Sequence, residues 1–175
     1  IMNRYPHELS GGQLQRISIL RSMLLEPQFM VADEPVSMLD VSVRADIINM
    51  LLELCQKKQT SLVFISHDIA LTRYISDRVA VMYLGRIVEL GSSDEIIHEP
   101  RHPYTRALIS NCASINPSDK SESISIDGEP PTPINPGPGC YFAERCFMKQ
   151  ERCIHEYPPM QEISPGHYAS CFFLE

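Results

Sequence analysis

The chain has 175 residues, of which 43% are hydrophobic and 21% charged, and its formal net charge is −7. This composition is ordinary for a soluble globular protein, and the length suffices for one good core with a small appended part. The negative charge argues against nucleic acid as the main partner, and no apolar run approaches the roughly 18 residues that a membrane-spanning helix needs.

A serine followed by two glycines opens the first predicted helix. Ser10 is a favourable N-cap, and Gly11, Gly12 and Gln13 lead into residues 13–26, whose apolar side chains recur with helical spacing. The first N–H groups of a helix have no partner within it, and the helix dipole favours an anion there. Glycine is costly in backbone entropy, so the pair favours a place where another group must approach the backbone closely. The segment predicts either a phosphate site or an ordinary helix start with a glycine-rich loop.

Two short apolar runs flank the second predicted helix. Residues 29–32 and 62–65 are continuous apolar runs, typical of strands buried on both faces, and residues 43–58 have a helical apolar period. A strand, a helix and a strand of these lengths form a βαβ unit. The two strands are therefore expected to be parallel and joined by a right-handed crossover.

Three ionisable residues follow the ends of these strands. Asp33 and Glu34 end the first strand, Pro35 is expected to hold Glu34 in an extended conformation, and His67 comes just after the second strand. Parallel strands end at one edge of the sheet, where α/β folds bind their ligands. Taken singly, such a carboxylate pair is often a solvated strand end, and a lone histidine is usually structural.

The rest of the chain changes character after residue 112. Before it the sequence predicts a helix over 68–75, a hairpin of strands 79–84 and 87–90, and helices over 92–98 and 103–111. Residues 113–138 are rich in Ser, Pro, Asp and Glu without an apolar period, which predicts a linker. The predicted parts are therefore 1–112, the linker 113–138, and a small part at 139–175.

The small part contains Cys140, Cys146, Cys153 and Cys171, which are four of the six cysteines. So short a segment buries too little apolar surface to fold without a cross-link such as disulfides, a metal ion or a cluster. Disulfides are disfavoured in a reducing cytosol, and structural zinc sites usually contain C-x₂₋₄-C pairs, which this spacing lacks. Four thiolates also suit an iron–sulfur cluster. The alternative ligands are His155 and His167, whereas Cys55 and Cys112 are predicted to be structural.

Four motifs resemble those of ABC-type ATPases, and they occur in that family's order. LSGGQLQR at 9–16 resembles the signature motif, FMVADE at 29–34 the Walker B strand, SMLD at 37–40 the D-loop, and His67 the switch histidine. No G-x-x-x-x-G-K-[ST] occurs in the sequence. The chain thus resembles the C-terminal part of an ATPase domain, of α/β class with a parallel sheet and flanking helices. It is expected to be inactive alone.

Phosphoryl transfer needs a metal ion, a group that orients or deprotonates water, and donors to the γ-phosphate. The resemblance implies that the residues at the strand ends fill these roles. Asp33 suits Mg²⁺, which prefers hard carboxylate oxygens. Glu34 suits the base that orients or deprotonates water, and His67 suits a donor to the γ-phosphate of ATP.

The resemblance also implies contacts with a second subunit. Ser10, Gly11, Gly12 and Gln13 would contact ATP held by the P-loop of that subunit. Asp40 would lie at the interface between the two sites.

Three further stretches resemble the oligopeptide/dipeptide importer branch of this family: EPRHPYT at 99–105, PTPINP at 131–136 and GCYFAERC at 139–146. ATPase subunits of that branch carry such a C-terminal extension and bind a [4Fe–4S] cluster at its cysteines. The resemblance therefore favours a cluster over zinc.

The implied protein is an ATPase subunit that powers peptide or related solute import from the cytoplasmic face of the inner membrane. Its implied partners are a second ATP-binding subunit, two permease subunits and, indirectly, a solute-binding protein, with no nucleic acid. The solute would be chosen largely by other subunits. Two alternatives are an ABC ATPase that acts on nucleic acid or ribosomes, and a non-catalytic remnant.

Overall fold

The computed structural model describes residues 5–112, 123–132 and 134–174. These residues form two compact units, one ending at Asp68 and the other beginning at Ile69. The boundary differs from the predicted divisions at 112 and 138, because the end of the chain shares a sheet with residues 78–92. Residues 113–122 and Pro133 of the predicted linker lie outside the described residues, whereas 123–132 contain neither helix nor strand.

The first unit contains the predicted βαβ arrangement. After a 3₁₀ turn at Pro6–Glu8, its elements are α1 (Gly11–Met23), β1 (Phe29–Asp33), α2 (Val41–Lys58) and β2 (Ser61–Ile65). Strands β1 and β2 pair in parallel, with Phe29 opposite Ser61 and Asp33 opposite Ile65. The parallel pairing confirms the prediction and brings both carboxyl ends to one edge.

Burial of these strands on both faces was a wrong prediction. Phe29 and Val31 on β1 are 57% and 54% exposed, and Val63 and Ile65 on β2 are also exposed. The reason is that the described residues of this unit provide two helices only, so one face of the sheet stays open. Likewise the apolar face predicted for the first helix is exposed, and the buried residues of α1 are Ile19 and Met23.

The second unit is built on a four-stranded antiparallel sheet in the order β3-β4-β6-β5. A 3₁₀ turn lies at Ala143–Arg145. The other elements are α3 (Ile69–Ile75), β3 (Arg78–Tyr83), β4 (Arg86–Ser92), α4 (Ser93–His98), α5 (Pro103–Ser110), α6 (Arg152–His155), β5 (Gln161–Ser164) and β6 (His167–Ala169). The predicted hairpin is confirmed as β3–β4, and Leu84 and Gly85 in its turn both have positive φ, as tight hairpin turns require.

The cysteine-containing segment packs against this hairpin. Phe142 is fully buried with Tyr83 and Val88, and the rings of Phe142 and Tyr83 lie edge to face at 5.2 Å between centroids. Strand β6 pairs with β4. The segment after residue 138 therefore shares one core and one sheet with residues 78–92.

Candidate functional site

Glu34 and His67 meet at the carboxyl edge of the β1–β2 sheet. His67 Nδ1 lies 2.8 Å from Glu34 Oε1, and the Glu34 N–H donates to Ile65 O at 3.0 Å. Both side chains remain open to solvent, as does Asp33 at the end of β1. The predicted convergence of the two strand ends is confirmed for this pair.

The electrostatics of the pair keep the Glu34 carboxyl ionised. The hydrogen bond from His67 lowers the pKa of the Glu34 carboxyl below its ordinary value, against a smaller opposing effect of burial. Because a carboxylate only accepts, Nδ1 of His67 is the donor in this contact. A neutral ring then offers Nε2 as an acceptor, so donation from Nε2 to a phosphate oxygen requires the imidazolium.

The backbone of Glu34 is not extended, contrary to the expectation from Pro35. Its φ is +43°, a left-handed conformation that costs a non-glycine residue roughly 1–2 kcal/mol. The carbonyl of Glu34 accepts two hydrogen bonds from Ser37, from its N–H at 3.3 Å and its hydroxyl at 3.1 Å. The turn that follows β1 overrides the local preference and holds this conformation.

The glycine pair at the start of α1 is packed against other residues of its own unit. Ser10 caps the helix, since its Oγ accepts from Gln13 N at 3.3 Å and Gln13 Oε1 accepts from Ser10 N at 3.1 Å. A Cβ on Gly12 would lie 2.7 Å from Val43 Cγ1. The predicted close approach to the backbone is therefore made, at least in part, by the chain itself.

The turn between β1 and α2 presents apolar surface to solvent. Asp40 is the N-cap of α2 and makes no side-chain capping bond. Met38 is 98% exposed and Val41 is 81% exposed. A carboxylate between two exposed apolar side chains suits a contact with another protein surface better than a core position.

The four cysteines of the last segment line one cavity. Cys140, Cys146, Cys153 and Cys171 surround it, and none of them forms a disulfide. Burial raises the pKa of Cys140 and Cys171, and that of Cys146 to about 11. These thiols therefore remain protonated unless a cation compensates their charge.

Backbone donors point at two of these sulfurs. Met148 N–H donates to Cys146 Sγ and Phe173 N–H donates to Cys171 Sγ, both at 3.4 Å. Such bonds stabilise a thiolate. Among the described residues, no group of three or more His, Cys, Asp or Glu side chains is arranged so that it could hold a metal ion.

Neither alternative histidine ligand lines the cavity. His155 is exposed. His167 is buried, and its Nε2 lies 2.7 Å from Glu89 Oε1. Cys55 is buried in α2, where burial raises the pKa of its thiol.

Glu89, a fully buried acid in β4, was not among the residues predicted from the sequence. Besides His167, its carboxylate accepts from the N–H of Arg101 at 2.8 Å and of His102 at 2.9 Å, so it joins β4 and β6 to the start of α5. His102 is also buried, and burial lowers its pKa to about 4, which keeps the ring neutral. The sequence signal that could have identified Glu89 is its place in a predicted strand, between the apolar residues Val88 and Leu90.

Two family profiles match the chain. Residues 88–153 match the C-terminal region of oligopeptide/dipeptide transporters, and residues 1–37 match the ABC transporter family. The chain is 48% identical over 173 residues to the dipeptide transport ATP-binding protein DppF of Escherichia coli, covering 99% of this chain and 52% of that protein. It is 46% identical over 173 residues to DppF of Haemophilus influenzae, covering 99% and 53%.

The chain is similar to oligopeptide/dipeptide transport ATP-binding proteins of the ABC transporter family. It spans about half the length of the curated relatives it matches. Among solved structures, a nucleotide-free ATP-binding cassette from an ABC transporter matches with a TM-score of 0.48 and 31% identity, over 51% of this chain and 35% of that one. No helix among the described residues is long and apolar enough to cross a membrane.

Proposed function

We propose that this chain is part of a subunit that binds and hydrolyses ATP to power the import of peptides or a related small solute. The observation that carries the proposal is the contact between Glu34 and His67 at the edge where β1 and β2 end. The names of the relatives, which are dipeptide transport ATP-binding proteins, support the choice of solute.

In this proposal the strand-end residues perform the chemistry. Asp33 would hold Mg²⁺, which neutralises phosphate oxygens when bound. Glu34, whose pKa is lowered by His67, is ionised at neutral pH and can accept a proton from the attacking water. His67 donates to the γ-phosphate from Nε2 in its protonated form.

The proposed partner is a second ATP-binding subunit. Ser10, Gly11, Gly12 and Gln13 would contact the ATP bound by that subunit, and Asp40 would lie at the interface. The exposed Met38 and Val41 beside Asp40 support a protein contact there. Two transmembrane permease subunits, which this subunit would meet at the cytoplasmic face of the inner membrane, and indirectly a solute-binding protein, would complete the transporter. The net charge of −7 disfavours nucleic acid as a partner.

The four cavity-lining cysteines, Cys140, Cys146, Cys153 and Cys171, are proposed to bind one [4Fe–4S] cluster. Two N–H···S bonds, which stabilise thiolates, support ligation through these sulfurs. Zinc is the alternative. The spacing of these cysteines lacks the C-x₂₋₄-C pair that is usual in structural zinc sites, which disfavours zinc.

The decisive experiment is Glu34→Gln in the whole subunit, with Glu53→Gln on the exposed surface of α2 as the control. Gln keeps the shape of Glu34 but cannot take a proton, so we expect phosphate release to fall by at least about 100-fold. ATP-dependent association with the partner subunit should persist. Near-normal hydrolysis by Glu34→Gln, with the control also active, would refute the assignment of the base.

A further inference from the structure

We propose that Arg44 is a positioning residue, which holds the turn at residues 35–40 between the Glu34 backbone and the glycine pair of α1. The inference rests on the proposed function, because it gives this turn a part in ATP turnover. Arg44 belongs to none of the motifs that the sequence analysis assigned.

Arg44 binds two carbonyls of the turn. It lies half-buried in the first turn of α2, where its Nε donates to Leu39 O at 2.7 Å and its Nη2 donates to Ser37 O at 3.4 Å. A guanidinium is always charged and presents its donors in one plane. It can therefore fix two carbonyls relative to each other, which a flexible lysine cannot do.

The position of Arg44 is otherwise unfavourable. A cation in the first turn of a helix faces the positive end of the helix dipole, at a cost of a few tenths of a kcal/mol or more. The two charge-assisted hydrogen bonds to Leu39 and Ser37 offset that cost.

One end of the turn is bonded to the candidate base. Ser37, whose carbonyl Arg44 holds, donates both its N–H and its hydroxyl to Glu34 O. Glu34 is in a left-handed conformation, which persists only while its surroundings impose it. A displaced Ser37 would therefore release the Glu34 backbone and change the direction of its carboxylate toward His67.

The other end of the turn packs on the glycine pair of α1, Gly11 and Gly12. Leu39 Cδ2 lies 3.3 Å from the position a Cβ on Gly11 would take, and Val43 lies against Gly12. Arg44 holds the carbonyl of that same Leu39. The glycine pair, where a phosphate would bind, and Glu34 thus contact opposite ends of the turn at residues 35–40, which Arg44 holds.

The competing explanation is that Arg44 merely stabilises the start of α2. The positioning role and this structural role predict different effects of Arg44→Ala on the folded protein. All variants are made in the whole subunit, together with its partner subunit. The control is Lys57→Ala, which removes an exposed ion-paired cation from the other end of α2. Arg44→Lys keeps the charge without the planar donors.

The readouts are hydrogen exchange of the amides of residues 37–43, and kcat and KM for MgATP. For Arg44→Ala we expect these amides to exchange at least about tenfold faster and kcat to fall about tenfold, with KM changed less than about twofold. Arg44→Lys should be intermediate, and Lys57→Ala should match the wild type.

If the amides of residues 37–43 exchange at the wild-type rate in Arg44→Ala, the inference is overturned, whether or not ATP hydrolysis changes. Faster exchange with normal kcat would overturn the positioning role and leave a structural one. A wild-type subunit that hydrolyses no ATP would instead refute the proposed function, and the exchange data would still decide whether Arg44 holds the turn.

Discussion

Gly12 and Val43 are so close that Gly12 has no room for a side chain: Cγ1 of Val43 lies 2.7 Å from the position a Cβ on Gly12 would occupy. Val43 is β-branched and stiff at χ1, so it cannot easily turn away. The glycine is thus required by packing within the chain, before any ligand is considered.

Gly12→Ala should therefore destabilise the protein by about 1–3 kcal/mol, although alanine is the better helix former. In a Val43→Ala background the same substitution should become neutral or stabilising. The free energy of unfolding, measured with urea for the wild type, the two single variants and the double variant, completes a double-mutant cycle. Equal destabilisation in both backgrounds would mean that the contact with Val43 is not the cause.

The same set of variants separates packing from ligand contact. If Gly12 also admits a phosphate, the double variant should regain stability without regaining ATP turnover. Recovery of both would indicate that Gly12 serves packing alone.

A second prediction concerns the titration of Glu34. Its pKa is lowered by the hydrogen bond from His67, so the carboxylate persists to lower pH than in an unfolded chain. His67→Ala should raise the pKa of Glu34 back toward its ordinary value, which carboxyl-selective NMR can follow. A folded-state pKa that is depressed stabilises the fold above the unfolded value, and this contribution is lost as pH falls through the folded value.

The control for this titration is Glu162, whose pKa is lowered chiefly by a backbone hydrogen bond from Gly166. His67→Ala should leave it unchanged. A Glu34 titration that does not respond to removal of His67 would contradict the contact between them.

A third prediction compares two glycines that are separated by a single residue. A Cβ on Gly139 would overlap Ile154 O and lie 2.6 Å from Cys153 O, whereas one on Gly137 would meet nothing within 4 Å. Backbone oxygens cannot rotate away as a side chain can. Gly139→Ala should therefore cost at least about 2 kcal/mol of unfolding free energy, and Gly137→Ala less than about 0.5 kcal/mol. Equal thermal shifts for the two variants would count against this packing.

The sequence predicted the elements whose cause is local. The N-cap at Ser10, the capping box of Ser92 and Glu95, and the parallel β1–β2 pair follow from residue pattern and chain length, and the structure contains them. The location of Glu34 and His67 at one edge of the sheet followed from the parallel pairing, because both residues come at or just after strand ends. The structure adds the direct contact between them.

Features that depend on distant parts of the chain could not be predicted in this way. Strands β5 and β6 are too short for a clear period, and β6 exists because it pairs with β4 and because Glu89 binds His167. The left-handed φ of Glu34 comes from the turn beyond Pro35, whereas the neighbouring residue alone favours extended backbone. The exposed face of β1 could not be foreseen, because an apolar run does not reveal what covers it.

The last prediction concerns the four cavity-lining cysteines. Purified without oxygen, the whole subunit should contain iron and sulfide in equal amounts and little zinc, and Cys153→Ser should lose both iron and sulfide. Cys112→Ser, at a cysteine that does not line the cavity, is the control. Since the remaining thiols recover none of the metal-binding free energy, Cys153→Ser should loosen the unit that begins at Ile69.

The residues proposed for ATP chemistry, including Asp33, Glu34 and His67, lie in the other unit, which ends at Asp68. We therefore expect Cys153→Ser to retain most of its ATP hydrolysis while hydrogen exchange rises in strands β4 and β6. Stoichiometric zinc without iron in the wild type would refute the cluster. Loss of hydrolysis together with the iron, at unchanged exchange in those strands, would mean instead that the cluster takes part in ATP turnover.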